Sequence, residues 1–187
     1  MERVPVPEGT VCRVADLCGK KRIPYAFMGG LALNAWGVPR ATFDLDIAVT
    51  VESEGIPRLL AQLRSDDVEV DDSFLHGFVN RLAGMEKAAV RLLSGGAWFL
   101  VDLFFATTPF LHSVMERRVA IELGETRIHV VTAADLVLFK LLAGRRKHWV
   151  DIENVIVIQG VPEPEYLQTW ADRLGIRERL DRVLEQS

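Results

Sequence analysis

Few cysteines, no long apolar run and no surplus of positive charge narrow this chain of 187 residues before any motif is read. Cys12 and Cys18 are the only cysteines. Their spacing sets them on nearly opposite sides of a helix, and no second pair completes a zinc set, so they read as half-buried core thiols. The longest apolar run, Ala97 to Ala106, is interrupted by Asp102 and is too short to span a bilayer. Met1 to Pro5 lacks the apolar core of a signal peptide. The expectation is a cytoplasmic protein with no membrane partner. A net charge of −4 excludes a global positive field that would draw in nucleic acid, so any such contact must be local. Walker A and Rossmann glycine patterns are missing, and no serine has the setting of a nucleophile elbow. Internal repeats, low-complexity segments and Pro- or Gly-rich linkers are missing too.

What remains is an ordinary globular composition, 49% apolar and 26% charged, on a chain long enough to bury a core. Thr10 is expected to cap a first helix running to about Arg22, with Val11, Val14, Ala15, Leu17 and Cys18 inward. A short strand from Tyr25 to Met28 leads into a glycine pair, a short helix from Leu31 to Trp36, and a strand from Asp44 to Val51. Gly55 opens a helix to about Arg64. The acidic stretch Asp66 to Asp72 reads as a short strand and a solvated turn, with no metal role. Phe74 to Met85 reads as weakly helical. Ala88 to Leu93 and Ala97 to Phe105 form a hairpin about Ser94-Gly95-Gly96, and Val119 to Leu123 pairs with Thr126 to Val131. Thr108-Pro109 opens a helix between the two hairpins. Thr132 with Asp135 makes a capping box for an apolar helix to Ala143. A helix from about His148 to Ile158 and two amphipathic helices split at Gly175 close the chain. The pattern argues for an α+β fold, a mixed sheet with helices mainly on one face. A soft boundary near Thr132 separates a core of residues 1–131 from a helical segment of 132–187 packed on it.

Gly29 and Gly30 stand thirteen residues ahead of Asp44, and Asp44 and Asp46 alternate with Leu45, Ile47 and Val49. That alternation puts both acids on one strand face, where they repel unless a cation sits between them. A glycine turn that opens a helix offers backbone N–H groups to an anion. Polyphosphate at one end and divalent metal at the other is the layout of a site for a nucleoside triphosphate. Asp102 lies in Trp98-Phe-Leu-Val-Asp102-Leu-Phe-Phe105, where an ionised carboxylate is costly unless neutralised. An edge position or an ion pair with an Arg would account for it. A third carboxylate beside Asp44 and Asp46 accounts for all three acids together, since three can hold two Mg2+ ions that clamp the oxygens of a phosphoryl displacement. Lys140 interrupts an apolar helix, either as a snorkelling lysine or as a charge aimed at triphosphate. Arg145 to His148 form a basic knot, readable as a helix C-cap or as a landing site for an RNA end. His76, His112 and His129 lack metal-site spacing. Trp36, Trp98, Trp149 and Trp170 read as core.

These blocks resemble the nucleotidyltransferase superfamily with the DNA polymerase β-like fold: Gly-Gly, a spacer, Asp-x-Asp on a strand, then a lone Asp on a later strand. Gly29 to Gly37 and Arg40-x-Thr42-x-Asp44-Leu-Asp46 look most like the AbiEii-type toxin nucleotidyltransferases and their uncharacterised relatives. The likeness continues through Asp135-Leu-Val-Leu-Phe-Lys140-Leu-Leu-Ala-Gly-Arg145 and Asp151, and touches roughly residues 25 to 155. It implies an enzyme that moves a nucleoside monophosphate from an NTP to an acceptor hydroxyl and releases pyrophosphate. Gly29 and Gly30 would wrap phosphates, and Arg40 and Thr42 would steady the strand or touch phosphate. Lys140 and Asp151 would complete the nucleotide site. Asp44 and Asp46 would ligate two Mg2+ ions, or Mn2+ in their place. Asp102 would hold one metal and serve as general base. The implied acceptor is an RNA end or a protein, with a cognate antitoxin as partner. A small-molecule, aminoglycoside-type acceptor is the alternative, as is a catalytically inactive binding module. The chain departs from the pattern at Gly30, where many members carry Ser, and at His148, where relatives carry an acid.

Overall fold

The computed structural model describes residues 4–82 and 84–186. Met1 to Arg3, part of the stretch read for a leader, lie outside the described residues, as does Ala83. The strands are β1 (Tyr25–Phe27), β2 (Leu45–Val49), β3 (Val68–Val70), β4 (Asn80–Leu82), β5 (Met85–Ser94), β6 (Ala97–Phe105), β7 (Val119–Leu123) and β8 (Thr126–Val130). The helices are α1 (Glu8–Lys20), α2 (Gly29–Ala35), α3 (Ile56–Leu63), α4 (Asp72–Leu75), α5 (Pro109–Arg117), α6 (Ala133–Ala143), α7 (Arg146–Gln159), α8 (Pro164–Arg173) and α9 (Arg177–Gln186).

One mixed sheet runs β3-β5-β6-β2-β1-β8-β7, with β4 also paired to β5. Parallel pairing of β2 with β6 and of β1 with β8 is set among antiparallel neighbours. Strand alternation divides the apolar residues between two faces. Tyr25, Phe27, Leu45, Ile47, Val101, Leu103 and Phe105 face one cluster, closed by Val11, Val14 and Cys18 of α1 and Leu59, Leu60 and Leu63 of α3. Ala26, Ala48 and Phe104 face the other, closed by Leu111 of α5, Leu136 and Val137 of α6, Ile152 of α7 and Leu167 of α8. Most helices described therefore lie on this second face, as the α+β reading expects. Its cluster runs without a break from the sheet into α6–α9.

Residues 133–141 of α6 are all buried, Asp135 and Lys140 included, the mark of a helix enclosed by the fold. Its capping box forms as the sequence reads. Thr132 Oγ1 accepts from the Asp135 backbone N–H at 3.1 Å, and the two side chains meet at 2.7 Å. Asp135 is fully buried there, and also accepts from the Tyr166 hydroxyl at 2.6 Å. No helix among the described residues is long and apolar enough to cross a membrane.

Four local readings need correction, the first being Trp98, which was read as core and is exposed. Thr10 does not cap α1, which starts at Glu8 with extended Pro7 as the capping residue. The Pro7 carbonyl accepts from Thr10 N, and the buried Thr10 hydroxyl instead donates to Ser94. The stretch from Phe74 holds only the end of the short α4, capped by Asp71, and then becomes β4. Antiparallel pairing of Asn80–Leu82 with Lys87–Met85 overrides the weak helical pattern. The basic run does not cap a helix C-terminus. α6 ends at Gly144 in the left-handed region, φ +61°, and Arg145 to His148 open α7. Cations there oppose the helix dipole, so their placement is not explained by helix stability.

Candidate functional site

The two-fold alternation of β2 sends Asp46 to the same face as Ala48, and that of β6 sends Asp102 to the same face as Phe104. Parallel pairing then sets Asp46 opposite Asp102, on strands about 4.8 Å apart. Asp44, just before β2, opens into the same pocket. A cavity of about 280 Å³ is lined by Asp44, Asp46 and Asp102, by Gly29, Gly30, Arg40 and Thr42, and by Lys140 and Asp151. Every candidate residue named from the sequence therefore borders one cavity.

Gly29 follows β1 and adopts φ +59°. A Cβ there would stand 2.1 Å from Asp46 Oδ2. A Cβ on Gly30 would stand 2.8 Å from Thr42 Oγ1. Glycine at both positions lets the turn close over the acids. Gly29→Ala is expected to lower stability by about 1–2 kcal/mol, from left-handed strain plus the clash. A urea titration checks this, and an unchanged midpoint would contradict the close approach.

Charge crowding marks the acids. Burial pushes the Asp46 carboxyl up to about 6, with further upward pushes from Asp44 and Asp102 and opposing pulls from Lys87 and Lys140. Asp102 Oδ2 accepts from Lys87 Nζ at 2.5 Å, and Lys87 also sits over the Phe104 ring at 5.6 Å. Asp102 Oδ1 is buried without a hydrogen-bond partner among the described residues. As arranged, no group of three or more His, Cys, Asp or Glu among the described residues closes into a metal cage.

At the far end, Asp151 is held by two cations. Its Oδ1 accepts from Arg40 Nη1 at 2.6 Å and its Oδ2 from Lys140 Nζ at 2.7 Å. Lys140 does not snorkel: its side chain and that of Asp151 are each only 8% exposed. Burial pushes the Lys140 ammonium below its ordinary value, and Asp151 pulls it back up. Asn34 fixes the approach of Arg40, accepting from its backbone N–H at 2.6 Å and donating to its carbonyl at 2.9 Å. The Thr42 hydroxyl donates to the Asp44 carbonyl at 2.8 Å, which steadies the entry to β2. His148 is pushed down to about 4 by burial and by the neighbouring Lys140 charge, so it is neutral at ordinary pH. Its Nδ1 is buried without a hydrogen-bond partner among the described residues. Exposed Arg145 and Lys147 give this end a positive rim.

Two contributors escaped the sequence reading: Lys87 and Asn34. Lys87 had a usable signal. The tight turn at Gly95-Gly96 pairs Ser94 with Ala97, and counting back sets Ala89 opposite Asp102 and Lys87 opposite Phe104, on the same face. Asn34 had none, because its role depends on how the loop after α2 folds back.

No protein-family model matches the chain, and no curated protein matches it by sequence. Solved structures do match it. An antigenic nucleotidyltransferase-like protein from Paracoccidioides brasiliensis aligns at 21% identity and TM-score 0.57, covering 97% of this chain and 95% of that one. The lincosamide antibiotic adenylyltransferase LnuA, solved with lincomycin bound, aligns at 13% identity and TM-score 0.55, covering 83% of this chain and 99% of that one. ANT(2")-Ia, in complex with adenylyl-2"-tobramycin, aligns at 12% identity and TM-score 0.51, covering 92% and 98%. At these identities the likeness is one of fold, and the chain has the nucleotidyltransferase fold.

Proposed function

We propose that this chain is a metal-dependent nucleotidyltransferase that moves a nucleoside monophosphate from an NTP to an acceptor hydroxyl, releasing pyrophosphate. One observation carries the proposal: Asp46 and Asp102 face each other in register and share a single cavity with Asp44 and the Gly29-Gly30 turn. A structural role for three crowded carboxylates on one sheet face has no evident benefit, since each raises the cost of the others.

The residues fit a divalent cation. The donors are hard carboxylate oxygens, Asp46 is crowded by like charge, and Asp102 keeps an unpartnered buried oxygen. Asp44 and Asp46 would hold Mg2+ or Mn2+, which when bound would absorb charge on the leaving pyrophosphate. The chain's own groups would do the rest. Gly29 and Gly30 would admit the phosphates close to the backbone. Arg40 and Lys140, pinned by Asp151, would supply fixed positive charge. Asp102 would accept the proton of the acceptor hydroxyl. The acceptor oxygen would bond to the α-phosphorus as the bond from that phosphorus to its bridging oxygen breaks. Catalysis of this kind rests on positioning and charge rather than a covalent intermediate.

For the acceptor, the positive rim of Arg145 and Lys147 favours a phosphate-bearing molecule, such as an RNA end. That fits the toxin-like reading, in which a protein side chain is the other acceptor and a cognate antitoxin the partner. The fold likeness to antibiotic adenylyltransferases supports a second reading, transfer to a small polyhydroxyl compound. Incubation with α-labelled NTPs and total RNA, bulk protein or aminoglycosides separates these. Labelled RNA with stoichiometric pyrophosphate is expected, and label on the aminoglycoside alone would favour the second reading. No label on any acceptor, with no Mg-ATP binding by calorimetry, would leave an inactive binding module.

A further inference from the structure

Lys87 makes the shortest link in the cavity that no reading of the acids requires. Its Nζ lies 2.5 Å from Asp102 Oδ2, a charge-assisted bond between side chains only 19% and 14% exposed. The pairing is built into the sheet. β5 and β6 set Lys87 opposite Phe104, and its ammonium leans across the Phe104 ring toward the diagonal neighbour Asp102. A divalent ion arriving at Oδ2 would have to displace that ammonium and crowd two cations into a site with little water, a costly exchange for a buried cation. Charge balance agrees for the nucleotide-free site. Three carboxylates are neutralised by one divalent ion and one ammonium, whereas two divalent ions beside Lys87 would leave a surplus of positive charge.

We propose that the Lys87 ammonium is a built-in counter-ion standing in for one of the two cations the acid trio could hold, so that the site takes a single divalent ion, on Asp44 and Asp46. The proposal rests on the reading of the trio as a metal site and replaces the two-ion expectation for this chain. Lys87 is then a positioning residue. It fixes Oδ2 of Asp102 and so sets how that carboxylate is held at the cavity.

The test counts ions rather than turnover. Manganese bound per chain in the absence of nucleotide is measured by electron paramagnetic resonance on wild type, Lys87→Ala and Lys87→Arg. One ion is expected in wild type and in Lys87→Arg, and two in Lys87→Ala. A second readout is thermal: Mn2+ is expected to raise the melting temperature of Lys87→Ala more than that of wild type, because the ion restores a lost counter-charge. Two ions in wild type would overturn the proposal and leave the metal-site reading intact. One ion in Lys87→Ala would remove the role given to the lysine. No ion in wild type would overturn the reading of the trio itself. Should Lys87→Ala not fold, the wild-type count decides alone.

Discussion

Asp46→Asn is expected to abolish nucleotidyl transfer while making the metal-free protein more stable. The loss of turnover follows from removing a central ligand and should be on the order of 10³-fold or more. The gain in stability follows from the crowding. Burial and the neighbouring acids lift the folded-state value of Asp46 from 3.8 to about 6. A carboxyl raised in this way favours the folded state while protonated. That contribution is fully present below about pH 4 and is lost as pH rises through about 6. At pH 8 the ionised Asp46 therefore costs up to about 3 kcal/mol, which asparagine does not incur. Urea titrations in EDTA at pH 5 and pH 8 check the sign. The advantage of the variant should grow with pH. A variant no more stable than wild type at pH 8 would mean the acids do not repel as described. The same comparison with saturating Mn2+ should narrow the gap, since the ion removes the repulsion only in wild type.

Asp151→Asn is expected to be the most damaging single change to stability. It leaves Lys140 buried with its counter-charge gone and frees the Arg40 side chain from α7. Breaking a buried pair by removing one partner costs about 3–5 kcal/mol. For a chain of this size that lowers the melting temperature by roughly 10 °C. The defect should shrink as pH rises toward the ordinary lysine range. Lys140 already sits below its ordinary value, and a neutral amine is cheaper to bury. Replacing both partners, as Lys140→Met with Asp151→Leu, should recover most of the stability and none of the activity. Calorimetric scans of the three variants check this. A double variant as unstable as Asp151→Asn would mean the pair holds α6 and α7 together in a way apolar packing cannot replace.

Much of the site was legible because strand alternation is a strong local signal. Asp44 and Asp46 could be placed on one face from Leu45, Ile47 and Val49 alone, and the glycine pair could be placed before a short helix. Asp102 could be singled out because an acid in so apolar a strand needs a reason. That it stands beside Asp44 and Asp46 was read from the three acids together, but the strand register that brings it opposite Asp46 was not legible. The parallel contact of β2 with β6 joins residues fifty-six positions apart, and nothing local dictates that register. The partner of Asp102 was expected to be a metal or an Arg, and it is Lys87, which the hairpin count could have reached. Lys140 stood out for the same reason as Asp102, but its partners could not be read. Asp151 lies on the next helix, and Arg40 comes from a loop before β2. The basic run could be read either as a helix C-cap or as a landing site, and the sequence alone did not decide between them. With Gly144 ending α6, those residues open a new helix against its dipole, and Arg145, Lys147 and His148 line the cavity.

A structure of the protein with Mn2+ and a non-hydrolysable NTP analogue, read at the manganese anomalous edge, tests the central claim most directly. The account predicts an anomalous peak within bonding distance of Asp44 and Asp46, with the triphosphate lying along Gly29-Gly30. A peak remote from Asp46, or a triphosphate seated away from that turn, would contradict it.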